Sequence, residues 1–369
     1  MDRPLRVAVT LEQCWHRVPG GTARAALDHV RAVAALGGID QIGVAARHRE
    51  PAPEAWAPSI PVRQLSLPRP VLYEAWHRLR RPAVERATGP VDVLHATGMA
   101  VPPRTAPLVV TVHDLAFLDE PGHSTARGLR FFHRAIELAR DAADLIVCPS
   151  AATRDDCVRH GFDATRLRVV PWGTEVVDIG PARIAGARAR FGLSGRYVLW
   201  AGTIEPRKNL PVLLDAFAAL RTRDPEVTLV LAGPTGWNES IDDRLAVLGD
   251  RVRTLGFVDR DALMALMAGA ELFCFPSRRE GFGLPVLEAM SVGTPVITSN
   301  GTSTSEVVGD AGVVIDPDDV AALADAIEAL LADGGERARR AEMGRRRAAE
   351  FTWERTAQGL VDVYREAAS

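Results

Sequence analysis

Two loops in this 369-residue chain carry residue types suited to a phosphorylated ligand. The first is Gly202-Thr203-Ile204-Glu205-Pro206-Arg207-Lys208-Asn209, between the apolar run Tyr197–Ala201 and a helical pattern at 210–222. Helix N-termini carry free N–H groups and positive dipole character, so they favour anions. Arginine adds a planar fork for phosphate oxygens, and lysine adds a compact point charge. Two such cations in one loop can neutralise a diphosphate without a metal. Lys208 is the single lysine among 44 lysine and arginine residues, which marks it out. The alternative is an exposed basic pair that caps nothing.

The second loop is Glu280-Gly281-Phe282-Gly283-Leu284-Pro285-Val286-Leu287-Glu288, behind the apolar run Leu272–Phe275. Gly281 and Gly283 let the backbone approach a ligand closely, and Pro285 suits the first turn of a helix. A helix starting near Leu284 turns Glu288 inward and leaves Glu280 in the loop, so both carboxylates can line one site. A carboxylate is a good acceptor for vicinal sugar hydroxyls. The plainer reading is an N-terminal helix acid and a surface glutamate.

Two weaker signals lie in the first half. Pro19-Gly20-Gly21-Thr22 precedes a helical pattern at 22–36 and reads as a phosphate loop or as a plain turn. It lacks the Gly-x-Gly-x-x-Gly spacing of a dinucleotide fingerprint. Thr111-Val112-His113-Asp114 ends a buried strand, where His113 can donate to a substrate hydroxyl or serve structure alone. The acidic pairs Asp155-Asp156, Asp242-Asp243 and Asp318-Asp319 lie near helix starts and read as dipole complements rather than metal ligands.

The elements that position these loops are short runs of Val, Ile and Leu alternating with helical patterns. Strands are expected at 5–10, 42–46, 62–67, 92–96, 108–112, 145–149 and 167–170, then at 197–201, 228–232, 252–255, 272–275, 295–298 and 313–315. Near-continuous apolar runs are the mark of strands buried on both faces of a parallel sheet. Helices are expected at 22–36, 125–142, 151–160, 210–222, 260–268, 284–292, 320–331, 336–350 and 353–368. Two such series predict two doubly wound α/β domains. The stretch 173–190, with Gly180, Pro181 and Gly186, reads as the connection between them.

Composition narrows the class. A charge of −3, from 44 basic and 47 acidic residues, gives no basic surplus for nucleic acid. The basic run Arg339, Arg340, Arg345, Arg346, Arg347 reads as a solvated helix face. Cys14, Cys148, Cys157 and Cys274 match no zinc or redox spacing, which suits a reducing compartment. No apolar run approaches the length of a membrane span. Met1-Asp2-Arg3-Pro4 leads directly into a strand, with no signal peptide expected.

Taken together, these residues resemble the retaining glycosyltransferases of the GT-B type, in the large group (family 4) that includes bacterial mannosyltransferases. Glu280 to Glu288 matches that group's E-x7-E signature, and Gly256-Phe257-Val258 and Ser305 to Gly312 are similar to its other motifs. The resemblance implies two Rossmann-like domains facing across a cleft. Residues 1–177 would take the acceptor, with 354–369 packing back on them, and 188–353 would take a nucleotide-sugar donor. It also implies that Arg207 and Lys208 hold the donor diphosphate, with Gly202 and Thr203 in the same loop. Glu288 would bind the ribose, and Glu280 would lie near the donor sugar. The backbone of Gly281, Phe282, Gly283 and Leu284 would contact sugar hydroxyls. Gly20 and Gly21 would close over the phosphates, His113 would face the transferred sugar, and Phe257 and Val258 would lie near the nucleobase.

The activity implied is retaining, metal-independent hexosyl transfer to a hydroxyl of a glycan, a lipid-linked acceptor or a small molecule. GDP-mannose is slightly favoured and a UDP-sugar comes next. No cofactor is expected. The implied location is cytoplasmic, with room for peripheral contact at the inner face of the membrane. The rival readings are a nucleotide-sugar epimerase of the same fold and a non-catalytic sugar-binding relative. Residues 47–80, rich in Pro and Trp, give no acceptor pattern.

Overall fold

Val, Ile and Leu runs form thirteen strands in two parallel sheets, seen in a computed structural model that describes residues 3–16, 20–119, 126–220, 227–236 and 238–369. Met1, Asp2, Pro19, Thr125 and positions 221–222, all part of the expectations above, lie outside the described residues. Contacts divide the chain into one unit of Met1–Gly173 with Thr352–Ser369 and a second unit of Thr174–Phe351.

In the first unit the strands are β1 (Leu5–Thr10), β2 (Ile39–Ala45), β3 (Val62–Gln64), β4 (Val93–Ala96), β5 (Leu108–Thr111), β6 (Leu145–Cys148) and β7 (Leu167–Val169). Their order is β3-β2-β1-β4-β5-β6-β7, and every pairing is parallel. Alternate residues of β1 go to opposite faces. Val7 and Val9 join Leu27, Val30, Leu360 and Tyr364 on one side, and Ala8 joins Ile42, Leu94 and Val110 on the other. The last helix, Trp353–Ala368, covers the first of these faces beside helix Gly20–Leu36.

The second unit has β8 (Tyr197–Ala201), β9 (Thr228–Ala232), β10 (Val252–Gly256), β11 (Leu272–Phe275), β12 (Val296–Ser299) and β13 (Val313–Ile315), in the order β10-β9-β8-β11-β12-β13. The winding reverses between β1 and β4 in one sheet and between β8 and β11 in the other. Open α/β sheets take ligands at the carboxyl ends of the strands at such switch points. Both signature loops leave β8 and β11, so the topology delivers them to one place.

Three local expectations change. The stretch taken as a connection contains helix Pro181–Arg190, which opens with proline in its first turn and packs on helix Arg260–Ala268. Its alanine- and arginine-rich sequence hides the apolar stripe. The first long helix starts at Gly20 rather than Thr22, so the two glycines are its first turn. Asp155 and Asp156 lie inside helix Ala151–Arg159 rather than at its start, and the capping falls to Ser150, which accepts from the Thr153 N–H at 3.0 Å.

The four cysteines are free and buried. The arginine-rich helix Gly334–Ala348 pairs Arg339 and Arg340 with Glu336, each at 2.7 Å. No helix of the described residues is long and apolar enough to cross a membrane.

Candidate active site

β8 ends at Ala201, and the chain turns through Gly202 and Thr203 into a short 3-10 turn, Pro206–Lys208. Asn209 then takes a left-handed conformation, at φ 55°, and helix Leu210–Ala219 begins. The Asn209 side chain donates to the Pro317 carbonyl at 2.6 Å and fixes this corner. The turn is sterically committed. A Cβ on Gly233, at the end of β9, would fall 1.8 Å from the Gly202 carbonyl oxygen, so the two backbones meet directly.

This geometry buries Lys208, which is 7% exposed. Its ammonium lies 2.5 Å from Glu280 Oε1 and 4.7 Å above the Phe275 ring. Arg207 sets one guanidinium nitrogen 2.9 Å from Glu280 Oε2 and the other 2.9 Å from Glu205 Oε1. The sequence assigned Arg207 and Lys208 to one ligand group and Glu280 to another. The structure joins all three in one charged cluster at the switch point of the second sheet.

The supporting residues carried no sequence signal of their own. Ser277 donates to Glu280 Oε1 at 2.8 Å. The Glu280 N–H donates to Thr302 Oγ1 at 2.8 Å, and Ser303 Oγ donates to the Glu280 carbonyl at 2.7 Å. Glu280 is thus gripped at both backbone and carboxylate. Burial alone would raise its carboxyl, but the charges of Arg207 and Lys208 and hydrogen bonds from Lys208 and Ser277 outweigh that and pull it to about 2. Burial and the Arg207 charge push Lys208 below its ordinary value, while Glu280 and Glu205 pull the other way. Two basic and two acidic side chains are therefore held against one another within 2.9 Å, a fixed set that an incoming anion could enter by exchanging partners.

In the second loop Gly283 takes φ 97°, and a Cβ there would lie 2.6 Å from Thr304 Cγ2. Helix Leu284–Ser291 follows, with Pro285 in its first turn. Phe282 is buried edge-on to Phe351 at 5.9 Å, which leaves only its backbone to a ligand. Glu288 pairs with Arg260 at 2.7 Å rather than with Glu280's partners.

Comparison with known proteins identifies relatives of this chain. Residues 19–177 match the family described as Glycosyltransferase Family 4, and residues 188–347 match Glycosyl transferases group 1. The O-antigen chain mannosyltransferase B of Escherichia coli is 34% identical over 309 residues, 80% of each chain. The D-inositol 3-phosphate glycosyltransferase of Salinispora arenicola is 36% identical over 321 residues, covering 78% of this chain and 71% of that one. The chain belongs to the GT4-type glycosyltransferases. Its fold is GT-B. The crystal structure of Anabaena HepE in complex with UDP and glucose superposes with a TM-score of 0.76 at 21% identity, covering 98% of this chain and 100% of HepE.

The remaining sequence candidates of this glycosyltransferase are placed as follows. Phe257 is 76% exposed at the end of β10, and Val258 beside it is buried. In the first unit His113 approaches the Thr97 carbonyl through Nε2 at 2.8 Å. A carbonyl only accepts, so that nitrogen donates, and the buried Nδ1, without a partner among the described residues, is left as an acceptor. The donor role expected of His113 is therefore already spent on Thr97. Gly20 opens its helix at φ 67°, and neither a Cβ on it nor one on Gly21 would meet any described residue within 4 Å. Backbone conformation, not space, is what Gly20 supplies.

Proposed function

We propose that this glycosyltransferase moves a hexose, with retention, from a nucleotide diphosphate sugar to an acceptor hydroxyl, and that it does so without a metal. The observation that carries this reading is the buried cluster of Arg207, Lys208 and Glu280 at the switch point. Preorganised charge aimed at a leaving group is the largest single source of catalysis in many enzymes. As the sugar–phosphate bond breaks, negative charge grows on the nucleotide, and Arg207 and Lys208 stabilise it. The sugar passes through an oxocarbenium-like state. The acceptor hydroxyl attacks from the face the nucleotide leaves, and its proton passes to the departing phosphate oxygen. Glu280 then acts by charge and position rather than as a base. Glu288 takes the ribose hydroxyls, with Phe257 and Val258 near the base.

GDP-mannose is the favoured donor and a UDP-sugar the next. Support comes from the name of the 34% identical mannosyltransferase and from the nucleotide in the HepE structure. The acceptor is a glycan, a lipid-linked glycan or a small molecule, taken by the first unit. Calorimetry with GDP, UDP, dTDP, ADP and their sugars, in the presence of a chelator, tests the reading. One nucleotide is expected to bind tightly with chelator present, and failure of all four, even with Mg²⁺ added, would overturn it.

In this scheme Glu280 competes with the diphosphate for two cations. Glu280→Gln is therefore expected to tighten nucleotide binding by about tenfold, roughly 1.4 kcal/mol, while turnover falls. Calorimetric affinity and initial rates check this together. Weaker nucleotide binding in the variant would mean that the cations do not face the phosphates.

A further inference from the structure

A cavity of about 700 Å³ lies in the first unit, between the helical stretch Arg69–Glu74, with its continuation Ala75–Leu79, and helix Ala126–Ala142. That volume is typical of small-molecule sites. Among the described residues four arginines line it, Arg69, Arg78, Arg130 and Arg134, against one carboxylate, Glu74. Arg78 is paired with Glu74 at 2.8 Å, and Arg134 with Glu137 at 3.0 Å. Arg69 and Arg130 have no carboxylate partner among the described residues.

The wall beside these charges is aromatic. Phe131 stacks on Tyr73 at 5.5 Å and on His77 at 4.5 Å. Burial lowers His77 to about 4, so its ring is neutral. Tyr73 Oη lies 3.5 Å from Nε2 of His16, just past the short 3-10 turn that follows β1. The cavity therefore adjoins the carboxyl end of the first sheet, where its own switch point lies.

Arg78 and Arg134 already have carboxylates, so Arg69 and Arg130 are the two guanidinium groups an anion in the cavity would join. A carboxylate fills one guanidinium fork, whereas a phosphate offers three oxygens to several donors at once. An aromatic wall suits the apolar face of an attached ring. We propose that this cavity binds the phosphate of a phosphorylated acceptor, with Arg69 and Arg130 on its oxygens and the Tyr73–Phe131 pair against the attached ring. The role of acceptor rests on the glycosyl transfer proposed above; the phosphate site itself does not. The phosphate belongs either to a soluble sugar phosphate or to a lipid head group. Val71 and Leu79, 50% and 60% exposed on the same helical stretch, suit the second source.

Calorimetry of the full chain with mannose 6-phosphate, and sedimentation with phosphatidylcholine vesicles containing phosphatidylglycerol, separate the two sources. Binding is expected in at least one arm and is expected to weaken by at least about tenfold in Arg69→Ala/Arg130→Ala. Arg69→Lys/Arg130→Lys should hold an intermediate affinity, because charge remains but the fork is lost. The melting temperature and nucleotide binding should stay those of the unsubstituted chain in both variants. Binding that survives the alanine pair, or absence of binding in both arms, overturns the proposal. Failure of the unsubstituted chain to bind any nucleotide overturns the reading of the second unit instead, so the two failures are told apart.

Discussion

Lys208→Ala is expected to lower turnover by about 10²–10³-fold, the loss seen when one preorganised group is removed from a developing anion. The cost to stability should be smaller, about 1–2 kcal/mol. The difference follows from what remains around Glu280. Its carboxylate still meets Arg207 at 2.9 Å and Ser277 at 2.8 Å, so no buried charge is left without a partner. The phosphate side loses more, because Lys208 is held in place by Phe275 and Glu280 before any ligand arrives. Arginine is not an equivalent replacement, since it exchanges the compact ammonium that meets Glu280 for a larger planar fork at a site only 7% exposed. Initial rates set against the thermal midpoint separate the two effects. Normal turnover in the alanine variant would remove Lys208 from the proposed mechanism, and a collapse of stability without a rate effect would make it a structural residue.

The strands at Tyr197–Ala201, Thr228–Ala232 and Leu272–Phe275 were legible to the residue because they are buried on both faces and read as unbroken apolar runs. Helix Trp353–Ala368 was equally plain from its periodicity. What stayed hidden was whatever depends on distant segments meeting. Ser277, Thr302 and Ser303 look like ordinary loop and cap residues, and only folding brings residues 22 and 23 positions beyond Glu280 onto its backbone. Glu205 reads as a loop acid until the 3-10 turn presents it to Arg207. The close approach of Gly233 to Gly202 is invisible for the same reason, although Gly233-Pro234 marks a turn. Residues 69–79, set in a proline-rich tract, show no acceptor pattern alone. Their arginines gain meaning only opposite Arg130, Phe131 and Arg134.

Acid is expected to destabilise the first unit well before the second. All nine histidines fall between positions 16 and 160, inside the first unit. Burial lowers five of them: His16 and His77 to about 4, His95 to about 3, and His29 and His113 below their ordinary value. Neighbouring charges add to this at His16 (Arg69 and His48), at His95 (His113) and at His29 (His95 and His113). These rings are neutral in the fold and take protons at about 6.5 once unfolded. Below that pH the unfolded chain binds more protons, so stability that is complete above about 6.5 drains away as pH falls toward the folded values. At about pH 4.5, His77 and His95 together have lost about 5 kcal/mol, comparable to the whole stability of many domains. The second unit has no histidine. Its depressed carboxyls, Glu280 among them, hold their contribution until pH falls below the ordinary carboxylate range. His95 shows where the damage begins. One ring nitrogen meets Tyr364 Oη at 2.8 Å and the other Thr111 Oγ1 at 2.8 Å, so it ties the last helix to the sheet. Hydrogen exchange corrected for intrinsic rates, followed from neutral pH to about pH 5, should show protection lost first in Trp353–Ala368 and β4 while β8 and β11 hold. Parallel loss in both sheets, or none in that window, would contradict the assignment of these histidines as buried and neutral.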